Sequence, residues 1–305
     1  MVKVNGYGIR GRLLQWIEAF LTGRSQYVNI NGEKSSFKNV SSGVPQGSVL
    51  GPTLFVIYIN DLPDCVRSTV KLYADDAKLY RPVPTKEDAA QLQQEINSLI
   101  EWSSKWLLKF HPEKCTVLRI GKKTAPLWQY EMETESGTVA LKREASTKDL
   151  GIVIDSQLTF DEEVATRARK ANNVMGILRR SFTHLNEEMF LLLFKAMVRP
   201  HLEYAVAAWA PHLRRHIDKL ESVQRRATKQ VPGLGTLSYQ ERLKKLNLPS
   251  LEFRRMRGDI IEVFKILSGK YDINYQDFFQ LQQAPHNTRG HTKKVTKPSI
   301  NSNTI

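Results

Sequence analysis

The sequence predicts an α+β protein: an antiparallel sheet with packed helices over residues 1–158, an all-helical region over 159–280, and a polar tail over 281–305. Three observations lead to this division. Through the first half, alternating apolar and polar runs are punctuated by turn residues, the mark of half-buried strands. From Phe160 the apolar spacing switches to the helical period. From Gln282 to Ile305 the stretch is polar, basic and broken by Gly and Pro, a composition that predicts disorder. A length of 305 residues accommodates about two domains and a sizeable core.

Each element follows from local chemistry. Leu13 to Leu21 is an amphipathic helix, and Gln26 to Val40 is a hairpin turning at Asn31-Gly32, the strongest short-range hairpin signal. Val70, Leu72 and Ala74 fall on one side of a strand, with Lys71, Tyr73 and Asp75 on the other. Leu79 and Tyr80 resume the apolar pattern, which puts Asp75 and Asp76 at a hairpin turn. A helix over Lys86 to Lys109 opens with Thr85 and Asp88 as a capping box. Its residues Leu92, Ile96, Leu99 and Trp106 share one core-facing side. Cys115 to Ile120 is a short strand, Leu127 to Leu141 holds two exposed strands around Ser136-Gly137, and Leu150 to Ile154 is a buried strand. Helices follow over Phe160–Arg180, Glu187–Val198, Arg214–Val231, Tyr239–Leu246 and Leu251–Leu267. Ser238 with Glu241 is a second capping box, and Gly269 is a helix stop.

Composition narrows the class. A net charge of +14 and a pI near 9.7 point to an anionic partner. Residues 161–270 hold 21 Lys/Arg against 12 Asp/Glu, so most of the excess lies in the helical region. Cys65 and Cys115 are far apart, which argues against a disulfide scaffold or zinc ribbon and fits a reducing compartment. No apolar run approaches the roughly 20 residues that span a bilayer, and charged residues interrupt any secretory signal. The expected location is the nucleus or cytoplasm.

Two constellations carry chemistry. Asp75 and Asp76 are adjacent like charges, so a fold that holds them in place usually needs a cation. Hard divalent ions such as Mg²⁺ take carboxylate oxygens and keep sites free for phosphate. On the dipeptide alone, a polar turn is the commoner explanation. The second constellation is Ser42-Gly43-Val44-Pro45-Gln46-Gly47-Ser48-Val49-Leu50-Gly51-Pro52, with three glycines, two prolines and Gln46 as the only long polar side chain. Glycine lets a backbone approach a ligand closely and proline stiffens the approach.

In this order, the loop and the acidic hairpin closely resemble reverse transcriptases. The likeness extends to the jockey-type non-LTR retrotransposons through Gly8-Ile9-Arg10-Gly11, Ile59-Asn60-Asp61-Leu62-Pro63, Pro112-Glu113-Lys114-Cys115, Asp149-Leu150-Gly151-Ile152, Pro200-His201-Leu202-Glu203-Tyr204 and Thr288-Arg289-Gly290-His291. The resemblance implies a partial polymerase palm followed by a helical thumb. It implies RNA-templated DNA synthesis from a DNA primer and dNTPs, with two Mg²⁺ ions about 3.5–4 Å apart. By the same resemblance Asp75 and Asp76 are metal ligands and catalytic. Gly43, Pro45, Gln46, Gly47 and Tyr73 contact nucleotide or template. Lys114 donates a proton to the leaving pyrophosphate, and Leu150, Gly151 and Ile152 form the primer grip. The family centre also has a third carboxylate on a strand ahead of Gly8-Ile9, and fingers that hold the template. The first aspartate here is Asp61, so the chain reads as a member truncated at both ends and inactive alone.

Other patterns have two readings each. His212 and His216 stand at i,i+4 spacing, without the Glu of a metalloprotease. Cys115 beside Lys114 is an activated thiol or a core thiol. Trp102 and Trp106 stack on bases or fill a core. The pairs Arg179-Arg180, Arg214-Arg215, Arg225-Arg226 and Arg254-Arg255 track phosphates or form solvated helix faces. A reverse transcriptase module, a non-catalytic nucleic-acid-binding remnant and a product that does not fold all remain open at this level.

Overall fold

The computed structural model describes residues 1–121, 126–134, 137–182, 185–281 and 294–296. The expected disordered tail from Gln282, with its Thr288–His291 run, lies almost wholly outside them. The chain divides into two compact units, Met1–Glu144 and Ala145–Ile305.

The first unit opens with α1 (Val2–Gly6) and α2 (Gly11–Leu21), then β1 (Ser25–Gln26), β2 (Asn29–Ile30), β3 (Glu33–Lys34) and β4 (Lys38–Asn39). β2 pairs β3 and β1 pairs β4, giving the expected hairpin. Asn31 and Gly32 both take positive φ, 52° and 95°, as a two-residue turn matched to strand twist requires. Next come α3 (Leu50–Ile59), β5 (Thr69–Tyr73), β6 (Asp76–Tyr80) and α4 (Lys86–Trp106). The Thr85–Asp88 capping box forms in both directions. The unit ends with β7 (Thr116–Leu118), β8 (Glu131–Thr134), β9 (Gly137–Ala140) and β10 (Lys142–Glu144).

Three sequence expectations need correction here. The strands form separate two-stranded ladders, one of them the parallel pair β7–β10, and no single sheet joins them among the described residues. α4 covers Leu72 of β5, Val117 of β7 and Met132 of β8, whereas β1 to β4 are exposed throughout. β8 is not exposed: Met132 is buried with Tyr130, Leu141 and Ala89 against Leu92, Ile96 and Ile100 of α4, and only β9 stays in solvent. The apolar side of α4 is not single either. Leu99, Trp102 and Trp106 turn to a different cluster with Ile59, Leu62 and Leu72. A 21-residue helix is long enough to cover two small cores.

The second unit holds one main core. Its elements are β11 (Ser146–Asp149), β12 (Ile152–Asp155), α5 (Asp161–Ser181), α6 (Glu187–Leu193), α7 (Arg199–Glu203), α8 (Val206–Trp209), α9 (Arg214–Lys229), α10 (Tyr239–Lys245) and α11 (Leu251–Leu267). A π-turn segment, Phe194–Val198, joins α6 to α7, so the helix expected to stop at Val198 runs on to Glu203. Pro200 lacks the N–H that a regular ladder needs, and a wider turn ahead of it absorbs the mismatch. Val164, Ala171, Phe194, Val198, Leu202, Trp209, Leu220 and Leu234 are all buried in this core. An apolar stripe runs along α9: Leu220, Gln224 and Ala227 are buried, Ile217 is half-buried, and Val231 continues the stripe just past the helix end. Gln224 is satisfied by donating to the Pro249 carbonyl and the Tyr239 hydroxyl.

Asp155 ties the hairpin to α5. Its carboxylate accepts N–H bonds from Gln157, Thr159 and Phe160 and a hydroxyl bond from Thr159. Partial burial pushes its carboxyl up, but these donors outweigh that and hold it below the usual carboxylate value. Its stabilising contribution is therefore full above the unfolded value, about 3.9, and is lost as pH falls through the lower folded value. Asp155→Asn is expected to lose less stability than wild type between about pH 5 and 2, read by urea melts. Parallel pH profiles for the two proteins would contradict this.

Candidate active site

The glycine-rich loop is built as a stiff tip. Arg24 donates to the carbonyls of Leu21 and Gly43, at 2.9 and 2.6 Å, and so ties the loop to the end of α2. Gly43 and Gly47 take positive φ, which glycine tolerates. Ser48 donates to the Pro45 carbonyl and accepts from the Gly51 N–H. Pro45 is half-buried, while Gln46 and Gly47 stand exposed. Gly51 is buried, and a Cβ there would lie 2.9 Å from both the Pro45 carbonyl oxygen and Ser48 Oγ. An alanine gains about 1 kcal/mol of helix propensity, but the backbone carbonyl cannot yield cheaply, and overpacking costs about 1–3 kcal/mol. Gly51→Ala is therefore expected to lower the melting temperature; a raised one would show that the loop relaxes freely.

The acidic hairpin is regular. Tyr73 pairs with Asp76, Leu72 with Ala77, Lys71 with Lys78 and Val70 with Leu79. Ala74 and Asp75 form the two-residue turn, so Asp75 is at the tip and Asp76 is the first residue of β6. Cross-strand pairing puts Tyr73, Asp76, Lys71 and Lys78 on one side, while Val70, Leu72 and Leu79 are half-buried on the other. Tyr73, Asp75 and Asp76 are all exposed. Ala74 holds φ 51°, a left-handed conformation that costs a non-glycine residue about 1–2 kcal/mol.

Lys114 is exposed in the short 3-10 turn Pro112–Lys114, just ahead of β7. Asp61, the first aspartate of the sequence, is engaged elsewhere: it accepts from Lys3 Nζ at 2.5 Å and from the Trp102 indole at 3.1 Å. Lys3 itself lies over the Trp106 and Trp102 rings, at 3.8 and 4.5 Å. No cluster of three His, Cys, Asp or Glu forms among the described residues. The donor set at the hairpin tip is two exposed, adjacent carboxylates. That fits a hard cation retaining water and phosphate ligands, and supplies only part of a two-ion site.

Leu150 and Gly151 lie in the second unit. The strand expected over Leu150–Ile154 starts only at Ile152, as β12; Leu150 and Gly151 form the turn between β11 and β12, both at positive φ, 44° and 84°. Leu150 is 42% exposed, and Ile152 is buried in the helical core. Asp149 and Gly151 are turn formers, but the apolar run from Leu150 to Ile154 reads through them.

Several sequence alternatives resolve to packing. Trp102 is buried. Burial pushes the Cys115 thiol up, as for a core thiol. His216 is buried and contacts Asp161 through Nε2. Arg255 is buried, Arg254 forms a fork with Glu203, and Arg214 and Arg215 pair with acids. Sequence reasoning missed a basic groove between α5 and α9 of about 340 Å³, lined by Arg169, Asn172, Asn173, Lys219, Ser222 and Arg226. A neighbouring pocket continues past Arg226 to Arg179. Among the described residues no carboxylate lines either.

The glycine-rich loop and the acidic hairpin follow one another in a single unit, the combination that a nucleic-acid polymerase class carries. The family described as "Reverse transcriptase (RNA-dependent DNA polymerase)" matches residues 3–158, and the chain belongs to that family. It is similar to the RNA-directed DNA polymerase from mobile element jockey of Drosophila funebris, 29% identical over 238 residues, covering 73% of this chain and 25% of the relative. The jockey polymerase of Drosophila melanogaster is 26% identical over 231 residues, covering 71% and 25%. The probable polymerase from transposon X-element of the same species is 27% identical over 232 residues, covering 71% and 24%. These matches are longer than residues 3–158, so the likeness reaches into the helical unit. The chain spans about a quarter of the length of these relatives. No solved structure matches.

Proposed function

We propose that this chain is the nucleotidyl-transfer portion of a retrotransposon RNA-directed DNA polymerase, extending a DNA primer on an RNA template with dNTPs. The observation that carries the reading is the exposed Asp75-Asp76 tip in the same unit as the Gly43–Gly47 loop, both within the family match. In this reading the first unit corresponds to the palm and the helical unit to the thumb. Asp75 and Asp76 would hold Mg²⁺, which, when bound, lowers the charge barrier at the transferring phosphoryl group. Gln46 and Gly47 offer an amide and an unhindered backbone to the nucleotide or template, with Tyr73 beside the acids. Lys114 is a cation available to the leaving pyrophosphate. Leu150, Gly151 and Ile152 back the primer terminus. Arg169, Lys219 and Arg226 face the backbone of the bound hybrid.

The test uses a fluorescent RNA–DNA hybrid with a recessed primer 3′ end. The 305-residue chain is expected to bind it more tightly than a blunt DNA duplex of equal length. Equal affinity would favour general anion binding. With dNTPs and Mg²⁺ no extension is expected of the chain alone, because the two tip carboxylates supply only part of a two-ion site. Extension that Asp75→Asn abolishes would overturn that expectation. Arg226→Ala should reduce the slope of log affinity against log salt by about 0.7–0.9, the value for one phosphate contact; an unchanged slope removes the groove from the interface.

A further inference from the structure

We propose that Glu163, Arg167 and Tyr204 are positioning residues that hold the Leu150–Gly151 turn as a rigid tip against the terminal nucleotide of the primer. The inference rests on the primer-grip reading of that turn and goes beyond it by naming what sets its position. Both turn carbonyls point back to helices. Tyr204 Oη donates to the Leu150 carbonyl at 2.8 Å, and Arg167 Nη2 donates to the Gly151 carbonyl at 2.6 Å.

The two donors are themselves fixed. The Arg167 guanidinium lies 4.7 Å from the centre of the Tyr204 ring, and its Nε donates to Glu163. Glu163 is fully buried, and its other oxygen accepts the Val153 N–H at 2.9 Å, on the strand leaving the turn. The backbone carbonyl of Tyr204 accepts from the indole of Trp209, a fully buried side chain. A Cβ at Gly151 would lie 3.4 Å from the Tyr204 hydroxyl, in ordinary contact, so the tyrosine packs directly on the turn, and it is the φ of 84° that favours glycine there. Both carbonyls of the tip are thus engaged from within the unit, and the Leu150 side chain is left exposed. An apolar side chain on a rigid support suits the flat face of a terminal base or sugar.

The test places 2-aminopurine at the primer 3′ end of the recessed hybrid and reads its fluorescence with the full chain. Wild type should change the terminal signal; no change would defeat the primer-grip reading, and this inference with it. Tyr204→Phe keeps the ring over Arg167 and removes only the hydroxyl. It should reduce the terminal signal several-fold and raise hydrogen exchange across 146–155, with hybrid affinity and thermal melt unchanged. Arg167→Lys, which keeps the charge beside Glu163 and loses the planar fork, should reduce the same signal. A terminal signal that survives both substitutions, or falls only in step with overall affinity or the melt, would overturn the inference while leaving the primer-grip reading intact.

Discussion

Glu163→Ala is expected to cost the helical unit about 3–5 kcal/mol, the penalty for leaving a buried charge without its partner. Against a typical total of about 5–15 kcal/mol, that loss decides whether the unit folds at body temperature. Glu163 is fully buried and Arg167 is 5% exposed, so water cannot replace the lost contact. The substitution also strips the Val153 N–H of its acceptor, which adds the cost of an unsatisfied buried donor. Glu163→Gln keeps an acceptor and loses only the charge, so it should fall between wild type and alanine. Urea melts followed by circular dichroism give the ordering. A loss below about 1 kcal/mol for alanine would mean that the pair is solvated in solution.

The second large effect is expected at the acidic tip. Asp75→Asn should weaken divalent-ion binding at least tenfold, about 1.4 kcal/mol. Mn²⁺ is a usable probe, because its effect on water relaxation reports binding directly. Wild-type affinity should be weak, on the order of millimolar, since two exposed carboxylates leave most of the coordination sphere to water. Asp61→Asn serves as the control: it should leave Mn²⁺ binding alone and lower the stability of the first unit, because Asp61 holds Lys3 and Trp102. Equal Mn²⁺ affinity in wild type and Asp75→Asn would remove the hairpin from metal binding.

Local chemistry was legible wherever its signal lies within a few residues. The boxes at Thr85–Asp88 and Ser238–Glu241 start their helices where the sequence places them. Asn31-Gly32 turns its hairpin, and Asp75 turns the next. Legibility failed where two distant segments decide. The turn at Leu150-Gly151 reads as strand because apolar residues say nothing about φ. Leu150 in the left-handed region costs about 1–2 kcal/mol, and the Tyr204 and Arg167 hydrogen bonds, from 54 and 16 residues away, help to offset it. The helix over Arg214–Lys229 shows its apolar stripe in the sequence, yet nothing there says that its basic side meets Arg169 and Asn172 across a groove.

The amino-acid sequence by itself determined the family, the order of the hairpins and helices, and the position of the two carboxylates at a turn. Each depends on short-range spacing, which the chain carries regardless of what packs on it. Only the tertiary structure decided which charges are used internally and which line an open groove. Arg254 is committed to Glu203, 51 residues away, and Arg167 to a turn in the hairpin, while Arg169 and Lys219 line an open groove. A guanidinium looks the same in a sequence whether it is paired or free. Its role is set by burial and by the partner the fold delivers, and both are long-range properties of the chain.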